Sequence, residues 1–360
     1  MNRCRRFLRH SVFGIAAWLA YGVDAWASPI LSFPYLGITR YTDTIALPAP
    51  ADQTAGTGLG AHTAKINVIQ IDLTAPGIGF KLSPDNGGAP GETLTQTTLA
   101  FMTQENAKLA VNAHFFNFTT NAAVNTTLTG FAASNGTVYS EFEAAPLSNA
   151  LLPYALTANA PGINISATNV AQVVNVGATQ STLAGGVIPY NTVTGSDQVI
   201  TNGVKSLPAV VATVTAEHQI VTKSVPPFGA PPLGNWYTDQ IAARTALGLS
   251  VDNKLLFIFT VDAAGGSNGM TVSEEVNYLI GGPYNVYNLI NLDGGGSTTL
   301  AMEDPVTHVD GIINAASGGP RFVGSSLAVF ANPVPETPSI YMLIAAITVL
   351  AFVASRARQN

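Results

Sequence analysis

The sequence holds a single cysteine, Cys4, in 360 residues, so no disulfide within the chain can staple its fold. Charge is scarce as well. Asp, Glu, Lys and Arg make up 10% of the chain, against about 25% in an ordinary soluble protein. Only 15 residues are Lys or Arg, too few and too scattered through the body for the phosphate-neutralising face of a nucleic-acid binder. Low charge beside 47% hydrophobic residues favours burial and excludes an intrinsically disordered chain. No second histidine stands at metal-ligand spacing from His114, which argues against a zinc site.

What is present gains meaning by position. Arg3, Arg5, Arg6 and Arg9 crowd the first ten residues, and Arg356 and Arg358 fall in the last five. Between Ser28 and Val334 lie nine cations and 19 acids, a formal charge of −10, and only three of the cations are arginines: Arg40, Arg244 and Arg321. Residues 1–27 read as a signal peptide, with a basic start, an apolar run from Val12 to Tyr21 and an A-x-A cleavage site at Ala25-Trp26-Ala27. Cleavage there by signal peptidase removes Cys4 and leaves a thiol-free chain, compatible with an oxidising compartment.

Residues 333–360 read as a sorting and membrane tail. Val334-Pro-Glu-Thr-Pro338 precedes an apolar run from Ile340 to Ala354 and then the terminal arginines. Fifteen helical residues span about 22 Å, short of the ~30 Å hydrocarbon core, so the run predicts a marginal membrane anchor. The arginines would lie on its cytoplasmic side. The arrangement resembles the PEP-CTERM sorting tail of Gram-negative bacteria, with Thr337 at the third position of the signature and proline one place later. That resemblance implies an exosortase-type processing enzyme, transient anchoring through the tail, and a periplasmic, outer-surface or extracellular-matrix location in a cell that produces exopolysaccharide.

The body predicts one large α+β domain, a strand-rich mixed sheet core with a few packed helices. Residues 28–63 are rich in Pro, Ala, Gly and Thr without a period and read as an extended lead-in to a domain over residues 64–332. Ile66–Asp72 and Lys108–Asn112 have strand character, and Leu94–Ala107 predicts a helix weakened by its threonines. Residues 140–235 predict short strands with long connections. Asp252-Asn253 predicts a hairpin turn between Arg244–Ser250 and Lys254–Val261. Thr271 and Glu274 form a capping box, with Val272, Val276, Leu279 and Ile280 on one helical face and Gly281-Gly-Pro283 as the stop. A strand over Val286–Leu292 then runs into Asp293-Gly-Gly-Gly-Ser-Thr298.

That last segment carries the most specific chemistry. Glycines at a strand end let backbone N–H groups turn toward an anion, Ser297 and Thr298 add hydroxyls, and Asp293 supplies an acid or base. A glycine turn with an Asx cap fits the same residues equally well. The segment lacks the lysine of a P-loop and the frame of a nucleophile elbow. Asp262 ends an apolar run before Ala-Ala-Gly-Gly and reads as a site or turn carboxylate. Glu274 is explained by the capping box, and Glu275 predicts a solvent-facing residue. Arg244 and Arg321 are candidate bidentate phosphate ligands or members of surface ion pairs.

In order along the chain, these pieces resemble the phosphodiester glycosidase domain family. They are Val111-Asn-Ala-His-Phe-Phe116, Gly130-Phe-Ala-Ala-Ser-Asn-Gly136, Arg244-Thr-Ala-Leu-Gly248, Thr260-Val-Asp262, Gly269-Met-Thr271 with Glu274, Asn291–Thr298, and Arg321 before the last strand. Ala113 departs from the family's usual glycine, His114 occupies a variable position, and residues 140–235 barely match. The resemblance implies hydrolysis of the bond between an anomeric carbon and a phosphodiester oxygen, with an N-acetylglucosamine-1-phosphodiester-like glycan as substrate. It implies Asp293 and Asp262 as the catalytic carboxylates and Asn112 orienting a sugar hydroxyl. Arg244, Arg321, the Gly294, Gly295 and Gly296 amides, Ser297 and Thr298 would hold the phosphate. No cofactor follows from it, and a bound divalent cation stays open. A noncatalytic surface or biofilm-matrix protein on the same fold is the competing expectation.

Overall fold

A computed structural model describes residues 28–49, 60–87, 91–117, 122–144, 158–207, 241–315 and 319–334. The expected signal peptide, residues 1–27, and nearly all of the expected tail over 333–360 lie outside these residues, as do 208–240, most of which belong to the poorly matching region.

The centre is an eight-stranded antiparallel sheet in the order Ile30–Tyr35, Ile38–Leu47, His62–Asp72, Leu255–Val261, Arg244–Leu249, Asn288–Asn291, Asp197–Thr201 and Val204–Lys205. Alternation along Leu255–Val261 shows why it is a middle layer. Leu256 and Ile258 face one core, whereas Phe257, Phe259 and Val261 face another. The first core is closed by residues such as Leu109, Val111, Leu327 and Val329 of a second sheet and Ile163 and Val193 of a third. Each of these two sheets has five strands. The opposite core is closed by helix Val272–Gly281, here called α2, through Val272, Val276 and Leu279. A shorter helix, Thr98–Glu105 (α1), sets Phe101 and Met102 on the second sheet.

The local signals explain these elements. Thr97 caps α1 by accepting from the Ala100 N–H, and Asn106 ends it in the left-handed conformation. This makes the helix shorter than the predicted Leu94–Ala107, because residues 93–94 and 96–97 are short strand segments. Both arms of the Thr271/Glu274 capping box are present. Asn253, at φ 56°, closes the hairpin joining Arg244–Leu249 to Leu255–Val261. The composition expected as a lead-in behaves differently from expectation. Residues 30–47 form two strands of the central sheet, with ten consecutive pairs from Ile38↔Ile71 to Leu47↔His62.

One face assignment shifts. Ile280 is 42% exposed, and the buried stripe of α2 is Val272, Glu275, Val276 and Leu279, with Tyr278 beside it. At about 100° per residue, the stripe is rotated by roughly one position from the predicted one. Glu275, expected to face solvent, is 0% exposed.

Candidate active site

Three strand ends and one helix start meet where the family-like pieces converge. Arg244 opens its strand opposite Val261, and Leu292 N–H donates to the Thr245 carbonyl on the other side, which brings Asp293 beside Arg244. The chain then turns through Gly294–Thr298. Only glycine allows that approach at Gly294: a Cβ there would stand 2.8 Å from the Ala243 carbonyl and 3.6 Å from Arg244 Cα. A Cβ on Gly296 would stand 2.9 Å from Arg321 Nη1 and 3.2 Å from its Cζ, so the guanidinium lies against this glycine.

Asp293 is 4% exposed, and its carboxyl is pushed up to about 7. Burial is the leading cause; the Ser297 hydroxyl, the Arg321 charge and the Gly294 N–H pull the other way. The acid is therefore divided between its two protonation states near neutrality, as suits a group that takes and returns a proton. Arg244 is 7% exposed, and its Nε donates to the Met270 carbonyl at 3.0 Å, at the threshold of α2.

Asn112 is the clamp of the loop. Its Nδ2 donates to the Asp293 carbonyl at 2.6 Å, and its Oδ1 accepts from Thr245 Oγ1 and from the Thr299 N–H, each at 3.0 Å. It is fully buried. The structure thus gives Asn112 a positioning task in place of the expected contact with a sugar hydroxyl. The expected row of three amides facing an anion is also modified. Gly295 N–H donates to the Ala243 carbonyl at 2.8 Å, and Gly294 N–H meets the Asp293 carboxyl. Ser297 serves Asp293, and the Thr298 hydroxyl meets that of Thr245 at 3.3 Å.

Asp262 stands in its own neighbourhood. Burial raises its carboxyl, offset by the Ala315 N–H, the Asn314 side chain, Lys65 and Arg40. It reaches the loop through Asn314, whose Nδ2 donates to the Thr298 carbonyl at 3.3 Å and whose Oδ1 accepts from the Leu300 N–H at 2.7 Å. Asn314 and Thr245 were not singled out from the sequence, where nothing separates them from ordinary loop and strand polar residues. Glu275 had a signal, since it stands three residues after Val272 and four before Leu279. His114 is buried and pushed down to about 4 by desolvation, so it is neutral; Nδ1 meets Ser325 Oγ at 2.9 Å and Nε2 accepts from the Thr194 N–H at 3.1 Å. Among the described residues, no three His, Cys, Asp or Glu side chains gather as a metal site.

At this junction a buried, near-neutral carboxyl feels the charge of Arg321, and Arg244 opens the adjoining strand. The phosphodiester glycosidase family model matches residues 105–330, well over half the chain, and the protein belongs to that family. No curated protein matches the sequence. Among solved structures, the chain is similar to a protein of Burkholderia pseudomallei described as exported. The identity is 13%, with 85% of this chain and 97% of that one covered and a TM-score of 0.51, a likeness of fold. It also matches the zebrafish N-acetylglucosamine-1-phosphodiester alpha-N-acetylglucosaminidase catalytic domain, auto-inhibited by its pro-peptide, at 16% identity, 80% and 87% coverage and a TM-score of 0.47. A hypothetical protein from Synechocystis is 15% identical, with 82% and 62% coverage and a TM-score of 0.45.

Proposed function

We propose that the protein is an exported hydrolase that cleaves sugar-1-phosphodiester bonds, of the N-acetylglucosamine-1-phosphodiester kind, in surface or exopolysaccharide glycan. The observation that carries this reading is the buried Asp293 carboxyl, poised near 7 and under the charge of Arg321, at the end of the strand that pairs with Arg244's strand. In this mechanism the diester's negative charge lies between the two guanidinium groups, which present planar, bidentate donors. The bond between the anomeric carbon and the phosphate oxygen breaks, and its electron pair leaves with the phosphomonoester. The arginines then hold more charge than in the ground state, and that difference lowers the barrier. Ionised Asp293 stabilises the oxocarbenium-like carbon or takes the proton of the incoming water. Asn112, Thr245 and Ser297 hold the loop and the carboxyl in place.

Export and tail-mediated anchoring rest on the sequence of the two ends. The test is to incubate the purified protein with a GlcNAc-α-1-phosphate methyl diester and follow release of methyl phosphate and free sugar. Release of both supports the reading. An intact diester across a panel of sugar-1-phosphodiesters would move the protein to the noncatalytic surface class.

A further inference from the structure

Glu275 is a buried acid at the start of α2 that the mechanism above leaves idle. It sits in the first turn of α2, wholly buried, and neither carboxylate oxygen has a hydrogen-bond partner. A bare buried carboxylate is costly, since desolvation of an unpaired ion far exceeds that of a neutral acid. The charge it feels most is Arg244, whose Nε is bonded to Met270 just before the helix cap. The carboxyl was not spent on capping, because Glu274 does that work.

We infer that Glu275 is a positioning residue held as a neutral acid, whose ionisation adds a negative charge beside Arg244 and weakens the binding of a phosphodiester there. The inference rests on the reading of Arg244 as a phosphate ligand. Burial raises the Glu275 carboxyl to about 8, with Arg244 opposing the shift, so the change falls just above neutrality.

Other titratable groups border this helix. Lys205 donates to Ser273, and Asp197 lies on a strand packed against α2. His62 stands 3.4 Å from Glu274 Oε2, and Tyr278 donates to Asp43. Asp293 titrates near 7 and would mask the effect, so its proton is removed from the experiment.

The experiment is calorimetric binding of the intact GlcNAc-α-1-phosphate methyl diester at pH 7.5 and 9.5, in the Asp293→Asn protein and in Asp293→Asn/Glu275→Gln. The diester keeps one negative charge over this range, so any pH dependence belongs to the protein. If binding requires the neutral acid, affinity in the single variant falls about 25-fold between the two pH values, from a carboxyl near 8. In the double variant the ratio drops to within about twofold of unity. Glu275→Met in the same background, which buries no amide, gives the same flat ratio and guards against misfolding of the Gln form. A 25-fold fall that survives both substitutions overturns the inference while leaving the phosphodiester reading intact. Failure of the single variant and of the unsubstituted protein to bind the diester at either pH sinks that reading and the inference with it.

Discussion

Asn112→Ala separates a clamp from a substrate contact. The truncation leaves the Thr299 N–H, the Thr245 hydroxyl and the Asp293 carbonyl without the partners that now stand at 3.0, 3.0 and 2.6 Å. All three residues are almost fully buried, so water cannot replace the amide easily. The Thr245 hydroxyl keeps Thr298 as a partner, so two groups are orphaned at about 1–3 kcal/mol each, together about 2–6 kcal/mol, a large part of a domain's usual 5–15. Asn112→Asp is the sharper variant. It keeps both acceptor bonds but turns the Asp293 carbonyl contact into an oxygen facing an oxygen. Urea unfolding and steady-state kinetics on a sugar-1-phosphodiester measure both consequences. The expected outcome is a lower midpoint and a lower kcat for both variants, since the Asp293 loop loses its anchor. A rise in KM with stability and kcat unchanged would refute the clamp and restore the sugar-contact role.

Other outcomes follow from the same geometry. Gly296→Ala places a methyl 2.9 Å from Arg321 Nη1 and displaces the guanidinium, so kcat/KM should fall on the order of tenfold, about 1.4 kcal/mol, with little change in unfolding midpoint. Arg321→Ala should cost on the order of 10²–10³ in kcat/KM, the scale of losing one preorganised oxyanion donor, measurable in the same assay. Glu275 also links stability to pH. Between its ordinary value of 4.5 and about 8, the folded protein keeps a proton that the unfolded chain releases, so stability falls as pH rises through that window. The loss is on the order of 4 kcal/mol, and urea midpoints at pH 5 and 8.5 should converge partway in Glu275→Gln; the slope from Asp293 remains.

Much of this architecture was legible in the residues because its signals are local. The capping box at Thr271 and Glu274, the αL asparagine at 253 and the alternating Leu255–Val261 each fix their own segment. That Asp293 and Arg321 belong to one site was an expectation of the family resemblance, and their charges do act on each other. Three features could not be read from the residues. The strands over 30–47 have a composition typical of a linker, and only pairing with His62–Asp72 makes them part of the sheet. Asn112 looks like a ligand residue until its partners, 133 to 187 residues distant, are seen to consume its amide. Glu275 breaks the rule that acids face water, and the sharing of α2's buried stripe between Val272, Glu275 and Leu279 was hidden by Ile280, a better apolar candidate that points outward.

The central claim is that Asp293 performs the chemistry while the two arginines hold the phosphate. The measurement that tests it most directly is turnover and binding of a GlcNAc-α-1-phosphodiester by Asp293→Asn, an isosteric change that keeps a partner for Ser297. The account expects turnover to fall by at least on the order of 10³ while the diester still binds, because the charged or proton-accepting group alone is lost. Turnover within a few-fold of the unsubstituted protein would contradict it.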